Sequence, residues 1–226
     1  MWVTQCRLTL HDSLFYATRE MGTLYETGRF LHNYALSYAL FNEQLIRVPY
    51  FSNSYRPDYP NDLGKLNEAG VYVTPARPLQ IDYLLLTWKM AQIAHYRKPV
   101  PFGARGNFPE NFGRAKEIAP ESQFEFFVLS QQPIKLPKWI RMGKWASKIL
   151  VEMVSQSQPH AQKGVFVSTV PLNPLDVQDT LITFDVISMP PISLVNNAHI
   201  DGHYYELSKV ARVPATLTYT FPESVL

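Results

Sequence analysis

The sequence predicts an α+β fold built on an antiparallel sheet, and three observations carry that reading. Short stretches with two-residue alternation or continuous apolar character outnumber helical ones. A single stretch, beginning at Phe30, repeats its large side chains every four residues. The chain also lacks the succession of amphipathic helices that parallel crossovers would need.

In chain order, Cys6, Leu8 and Leu10 alternate with Gln5, Arg7 and Thr9, which predicts a half-buried first strand. After the His11-Asp12-Ser13 turn, Leu14 to Ala17 continues extended, and the chain turns at Gly22. From Phe30 the rows Phe30, Tyr34, Tyr38 and Leu31, Ala35, Ala39 predict the best helix. Residues 49–64, rich in Pro, Asn, Asp and Tyr, read as a long surface loop. Val71 to Thr74 and Ile81 to Trp88 read as strands, the second apolar on both faces and so expected at the centre of a sheet. The stretch PFGARGNFPENFG reads as a basic, glycine-bearing loop. Further strands are expected at Gln123–Ser130, Val165–Val170, Leu181–Ile187 and Thr216–Phe221.

With 226 residues, 46% of them hydrophobic and 18% charged, the chain can bury a large core and is not a disordered polymer. Its apolar runs are too short to span a bilayer, which argues against a membrane role. The single cysteine, Cys6, builds neither a disulfide framework nor a zinc cluster and fits a reducing cytoplasm.

Charge is unevenly placed. Residues 97–116 carry a net +4, and so do residues 135–152, which leaves the remainder of a +2 chain acidic. Two basic segments on an acidic body are the footprint of a polyanion contact. Each has a plainer reading as solvated surface. The run from Leu14 to Leu40 interleaves six aromatic residues with Arg19, Glu20, Glu26, Arg29, His32 and Asn33, a mixture suited to stacking bases and neutralising phosphates. KWIRMGKWASKILVEMV joins lysines to Trp139 and Trp145 around Gly143. Its tryptophans serve either as stacking planes or as core within a strand–turn–strand or a short helix, whereas its lysines stay at the surface.

Catalytic and metal signals are weak. His199, Asp201 and His203 alternate in NNAHIDGHYY, a spacing that would put three ligands on one strand face, yet residues beside a glycine bend are more often turn residues. His11, His32, His95 and His160 stand without a defined partner, and no phosphate-binding loop, dinucleotide fingerprint or nucleophile elbow is present. No cofactor is implied.

The stretches RLTLHDSLFYATREMGTLYETGRFLHNYALSYAL, FGRAKEIAPESQFEFFVLS and PKWIRMGKWASKILVEM closely resemble the Csc-one subunit of type I-D CRISPR Cascade complexes. That group is the type I-D branch of the Cas-five family in the RAMP superfamily. The resemblance implies one ferredoxin-like or RRM-like (RAMP) domain over residues 1–226, with insertions near 42–70 and 95–118 and a β-rich part about 160–226. It implies a non-catalytic subunit that caps the 5′ handle of the CRISPR RNA. Its expected partners are the large subunit and the first copy of the backbone subunit, near the PAM end of target DNA.

The residues expected to hold RNA form three groups. The first is Arg19, Tyr25, Arg29, His32 and Asn33; the second is Lys138, Arg141, Lys144, Trp145 and Lys148; the third is Arg114 and Lys116. Phe102 and Phe108 are candidate wedges between nucleotides. Tyr50, Phe51, Tyr55 and Tyr59 are a candidate intersubunit surface. The competing function is a metal-independent endoribonuclease acting on precursor CRISPR RNA, with His32 or His203 as base.

Overall fold

A computed structural model describes residues 1–46, 57–89, 112–208 and 211–221. The first strand, β1 (Trp2–Leu10), lies where its alternation puts it, and two short strands follow, β2 (Arg19–Met21) and β3 (Leu24–Glu26). They are joined by a turn at Gly22, whose φ of +62° suits glycine. Helix α1 (Asn33–Phe41) starts three residues later than the four-residue repeat. His32 caps it, its Nδ1 accepting the Tyr34 N–H at 3.1 Å. Leu36, Leu40, Phe41 and Tyr34 are buried, and Ala35, Tyr38 and Ala39 are half-buried. A helix with little polar face belongs inside the fold.

The remaining elements are α2 (Tyr59–Glu68), β4 (Val71–Val73), β5 (Arg77–Gln80), β6 (Tyr83–Lys89), β7 (Phe112–Ile118), β8 (Gln123–Ser130), β9 (Trp139–Met142), β10 (Ser147–Ser157), β11 (Ala161–Val167), β12 (Thr180–Ile187), β13 (Leu194–Glu206) and β14 (Arg212–Pro214). The main sheet runs β4–β8–β1–β10–β9, with β5 also on β8, and every pair is antiparallel. In its register Cys6 lies between Phe126 and Met153, and Leu8 between Phe124 and Val151. Cys6, Leu8, Phe124 and Phe126 are fully buried. Helix α1 packs against β9 and β4. A second sheet, β2–β3–β7–β6, is antiparallel except for the parallel pair β3–β7. A third has β13 between β11 and β12, with β14 added to β13.

Four expectations change. Residues 59–64 are helical rather than loop, because Asp58 caps α2 and Pro60 sits at its start, where no N–H is needed. The apolar run from Ile81 makes β6, an edge strand of the small sheet rather than a central one, and Leu84, Leu85 and Leu86 stay exposed. The stretch NNAHIDGHYY is not a turn but lies within the long strand β13, with His199, Asp201 and His203 all on its exposed side. Residues 216–221 are extended but join the sheet system only through a bridge from Val177 to Leu217. There the Tyr219 side chain, not ladder pairing, anchors the chain, packing on Tyr72 at 4.7 Å between ring centroids and bonding Ser37 Oγ at 2.6 Å.

A buried polar cluster ties the C-terminal part to α1. Asp176 Oδ2 accepts the Asn33 Nδ2–H and the Tyr72 hydroxyl, each at 2.9 Å, and Oδ1 accepts the Thr220 N–H at 3.0 Å. Burial pushes the Asp176 carboxyl up to about 6 and, nearby, the His32 imidazole down to about 4, since both sites disfavour charge.

Candidate nucleic-acid interface

The hairpin β9–β10 is fastened to the chain leaving β1. At its turn Gly143 (φ +76°) donates its N–H to the Tyr16 hydroxyl at 3.0 Å, and Lys144 donates its N–H to the Phe15 carbonyl at 2.9 Å. Ser147 Oγ donates to the Ser13 carbonyl at 2.6 Å, and the Lys148 N–H goes to Asp12 at 2.8 Å. Burial raises the Tyr16 phenol to about 12, so it stays a neutral acceptor. A Cβ on Gly143 would lie 2.7 Å from Leu14 Cδ1 and 2.8 Å from the Phe15 carbonyl oxygen. Gly143→Ala is therefore expected to cost about 2 kcal/mol in denaturant unfolding, from strained φ and forced separation of hairpin and chain. A loss below about 0.5 kcal/mol would contradict this tight docking.

Alternation along β9 buries Ile140 and Met142 and turns Trp139 and Arg141 outward. Lys148, paired with Arg141 across the hairpin, joins that face, and its Nζ sits 4.1 Å from the centre of the Trp139 ring. His11 packs edge-on against the same ring at 4.8 Å. Trp145 is 55% exposed, yet its position is set: it stacks on Phe15 at 5.4 Å and 16°, and its Nε1–H donates to Glu117 at 3.2 Å. Glu117 is itself buried and accepts the Ser13 hydroxyl at 2.6 Å. Both tryptophans thus expose ring area, Trp139 at 39%, while held from behind; neither is core.

Between this hairpin and α1 lies a cleft of about 860 Å³, with Arg141, Lys144 and Lys148 among its walls and Glu43 as its carboxylate. Through Tyr16, Ala35, Tyr38 and Lys144 it continues into a smaller pocket of about 370 Å³ under Phe30, Tyr34 and Tyr59. Lys144 Nζ stands 6.0 Å above the Phe15 ring.

The predicted residues divide between two places and the interior. Arg141, Lys144 and Lys148 gather at the cleft, Trp145 is exposed at the hairpin turn without lining it, and exposed Lys138 lies just before β9, where its carbonyl accepts the Val151 N–H. Arg19, Arg114 and Lys116 share one face of the small sheet, since Arg19 pairs with Glu26 and Glu26 with Lys116 in register. Lys116 is already engaged there, 3.6 Å from Glu26 and 4.5 Å from the Tyr83 ring centre. Tyr25 lies half-buried on the opposite face, and exposed Arg29 lies over Phe30 at 5.3 Å.

Asn33 does not belong to an RNA surface, and His32, though it lines the smaller pocket, commits both ring nitrogens to the fold. Asn33 is fully buried and gives its amide to Asp176 and Tyr72. His32 is 4% exposed, with one ring nitrogen on the Tyr34 N–H and the other 3.1 Å from the Ile192 carbonyl. Polar side chains at a helix start served the cap and the interior, not a ligand. Phe102, Phe108, Tyr50, Phe51 and Tyr55 lie outside the described residues. Tyr59 packs against Tyr34 at 4.9 Å.

Phe15, Tyr16 and Glu117 were missed as parts of the site, and Trp139 was weighed as a stacking plane without being placed among the contacts. The hairpin register around Gly143, which sets Trp139 beside Lys148, was the available signal. The docking of residues 11–16 on 143–148 had none. No cluster of three or more metal-binding side chains occurs among the described residues. No described helix is long and apolar enough to cross a membrane.

The family model for type I-D CRISPR-associated protein Cas5/Csc1 matches residues 1–222. No curated protein matches the chain. One similar solved chain comes from the Type III-B Cmr-beta complex bound to cognate target RNA and AMPPnP, at a TM-score of 0.49 and 9% identity, covering 88% of this chain and 86% of that one.

Proposed function

For a chain that belongs to the type I-D CRISPR-associated Cas5/Csc1 family, we propose the role of a non-catalytic subunit that grips the 5′ handle of the CRISPR RNA. In this reading it sits in the cytoplasmic effector complex against the backbone and large subunits, near the PAM end of target DNA, on a ferredoxin-like RAMP core. The observation that carries it is the cleft beneath the β9–β10 hairpin. The exposed Trp139 ring on its wall offers a stacking plane, with exposed Trp145 at the nearby turn, and Arg141, Lys144 and Lys148 offer charge to the backbone between bases. Phosphate contacts set the register of such a strand, while contacts to base edges would specify it. The shared face of Arg19, Arg114 and Lys116 is a second place for the strand to run.

The endoribonuclease reading loses its first base. Buried His32 has both ring nitrogens occupied and is held neutral. His203 lies on the exposed face of β13, 3.8 Å from Asp179.

The test is a photo-crosslinking map of guide RNA in the assembled complex. Crosslinks from the first nucleotides to peptides 11–16 and 139–148 are expected. Their placement wholly on other subunits sinks the proposal.

A further inference from the structure

We infer that the smaller pocket receives one unstacked nucleobase and does so without reading which base it is; this rests on the RNA-binding role proposed above. The pocket's 370 Å³ falls in the range of small-molecule sites, about 300–1,000 Å³. Its walls are largely aromatic and apolar, with Phe30, Tyr34, Tyr38, Tyr59 and Met189 among them. It opens into the cationic cleft through shared walls, so a strand running along the cleft passes its mouth. Lys144 lines both spaces and is, among the described residues, the sole ammonium or guanidinium on the pocket wall, placed to meet the phosphate of a nucleotide whose base has turned inward.

The tolerance follows from where the polar atoms point. Sequence reading needs donors and acceptors free to meet base edges, and most of those on this wall serve the fold. Tyr16 accepts the Gly143 N–H, and the Tyr38 hydroxyl donates to Asp62 at 2.7 Å. Thr18 Oγ1 donates to the Glu26 carbonyl and accepts the Gly28 N–H, and both His32 nitrogens are engaged. The Tyr34 hydroxyl makes no hydrogen bond but is buried near Asn173 and Asp176, on the interior side. What remains is mainly apolar and aromatic surface, which every base can use, because each has a π-face. A purine fills more of it than a pyrimidine, so a small size preference accompanies the tolerance.

The experiment titrates the full chain with short single-stranded RNAs in which 2-aminopurine, and then an abasic ribose, is moved one position at a time. One position is expected to show several-fold fluorescence quenching on binding. The abasic change there should weaken binding about tenfold, and exchange among the four bases should alter it less than about threefold. Ala35→Leu fills the pocket while deleting no contact, and should erase both the quenching and the abasic penalty. Lys144→Ala, at the mouth and exposed, should weaken binding and leave the quenching in place at saturating RNA.

Salt-sensitive RNA binding with no quenched position and no abasic penalty overturns the pocket and leaves the cleft standing; a side chain from a partner protein would then be its occupant. Strong discrimination among bases at the quenched position overturns the tolerance. Absence of RNA binding overturns both readings.

Discussion

Replacing Arg141, Lys144 and Lys148 together by glutamate is expected to weaken binding of single-stranded RNA about a hundredfold at ordinary ionic strength. Each exposed contact to a phosphate contributes about 1 kcal/mol, and three lost contacts amount to roughly two powers of ten. Added repulsion would deepen the loss. The three side chains are at the surface or half-buried, and what they hold locally is slight: Arg141 reaches the Ala146 carbonyl at 3.0 Å and Asp12 at 4.0 Å. The hairpin itself is fixed by backbone bonds and by Ser147, which the substitutions leave alone. Salt dependence separates direct contact from misfolding. For a single strand the slope of log affinity against log salt changes by about 0.7 per phosphate contact, so the triple variant should flatten it by about two. Circular dichroism should stay as in the parent. A parental affinity and slope in all three single variants and the triple would remove the cleft from RNA binding.

The second large effect lies in the interior. Asp176→Ala leaves the Asn33 amide, the Tyr72 hydroxyl and the Thr220 N–H without their acceptor in a fully buried site. A loss of about 4 kcal/mol in unfolding free energy is expected. Asp176→Asn should cost far less near neutrality, because Asn33 can turn its amide and Tyr72 its hydroxyl to accept from the new amide. A loss under about 1 kcal/mol for Asp176→Ala would show that the cluster does not bind the C-terminal part to α1.

The same residue shapes the response to pH. The Asp176 carboxyl stands near 6 in the fold against an ordinary 3.8, so the folded state takes up the proton first. Its contribution to stability therefore rises as pH falls from about 6 to 4. His32 does the opposite. Its ring stands near 4 against 6.5, the unfolded chain protonates first, and stability present above 6.5 drains away as pH falls toward 4. Each shift is worth on the order of 3 kcal/mol, and the two oppose one another over the same interval. Urea midpoints of the parent should accordingly change little between pH 6 and 4 on account of this pair. Asp176→Asn removes one side of the balance, and its midpoint should fall steeply through that interval. Parallel curves for the two proteins would show that the groups do not titrate as their surroundings require.

How much of this was legible in the sequence depends on what each residue answers to. The alternation at Cys6, Leu8 and Leu10 was readable because β1 lies between two strands with one face on the core. Glycine at residues 22 and 143 marked real turns, since both hold positive φ. The run at Leu84–Leu86 misled because continuous apolar character is ambiguous: it serves a sheet centre as well as an edge that stays open. His32 and Asn33 misled for a different reason. Their partners, Ile192 and Asp176, lie more than a hundred residues away, and no local pattern announces them. The lysines of the third motif were easier, because an ammonium group stays at the surface whatever the tertiary fold. That rule located the cleft's charge but not the aromatic floor beneath it, which depends on two distant segments meeting.

That meeting has a consequence for biogenesis. Strand β1 finds β8 and β10 only after those segments, residues 123–130 and 147–157, have been synthesised. At ribosomal speeds of about 5–20 residues per second, the N-terminal strand waits roughly 6 to 30 seconds for its sheet neighbours. The cleft beneath the β9–β10 hairpin thus cannot form until residue 148 has been made, and only the third sheet follows it. A ribosome-bound fragment ending before the second hairpin arm would hold β1 against β8 alone, with its other edge open and sticky and the cleft unbuilt.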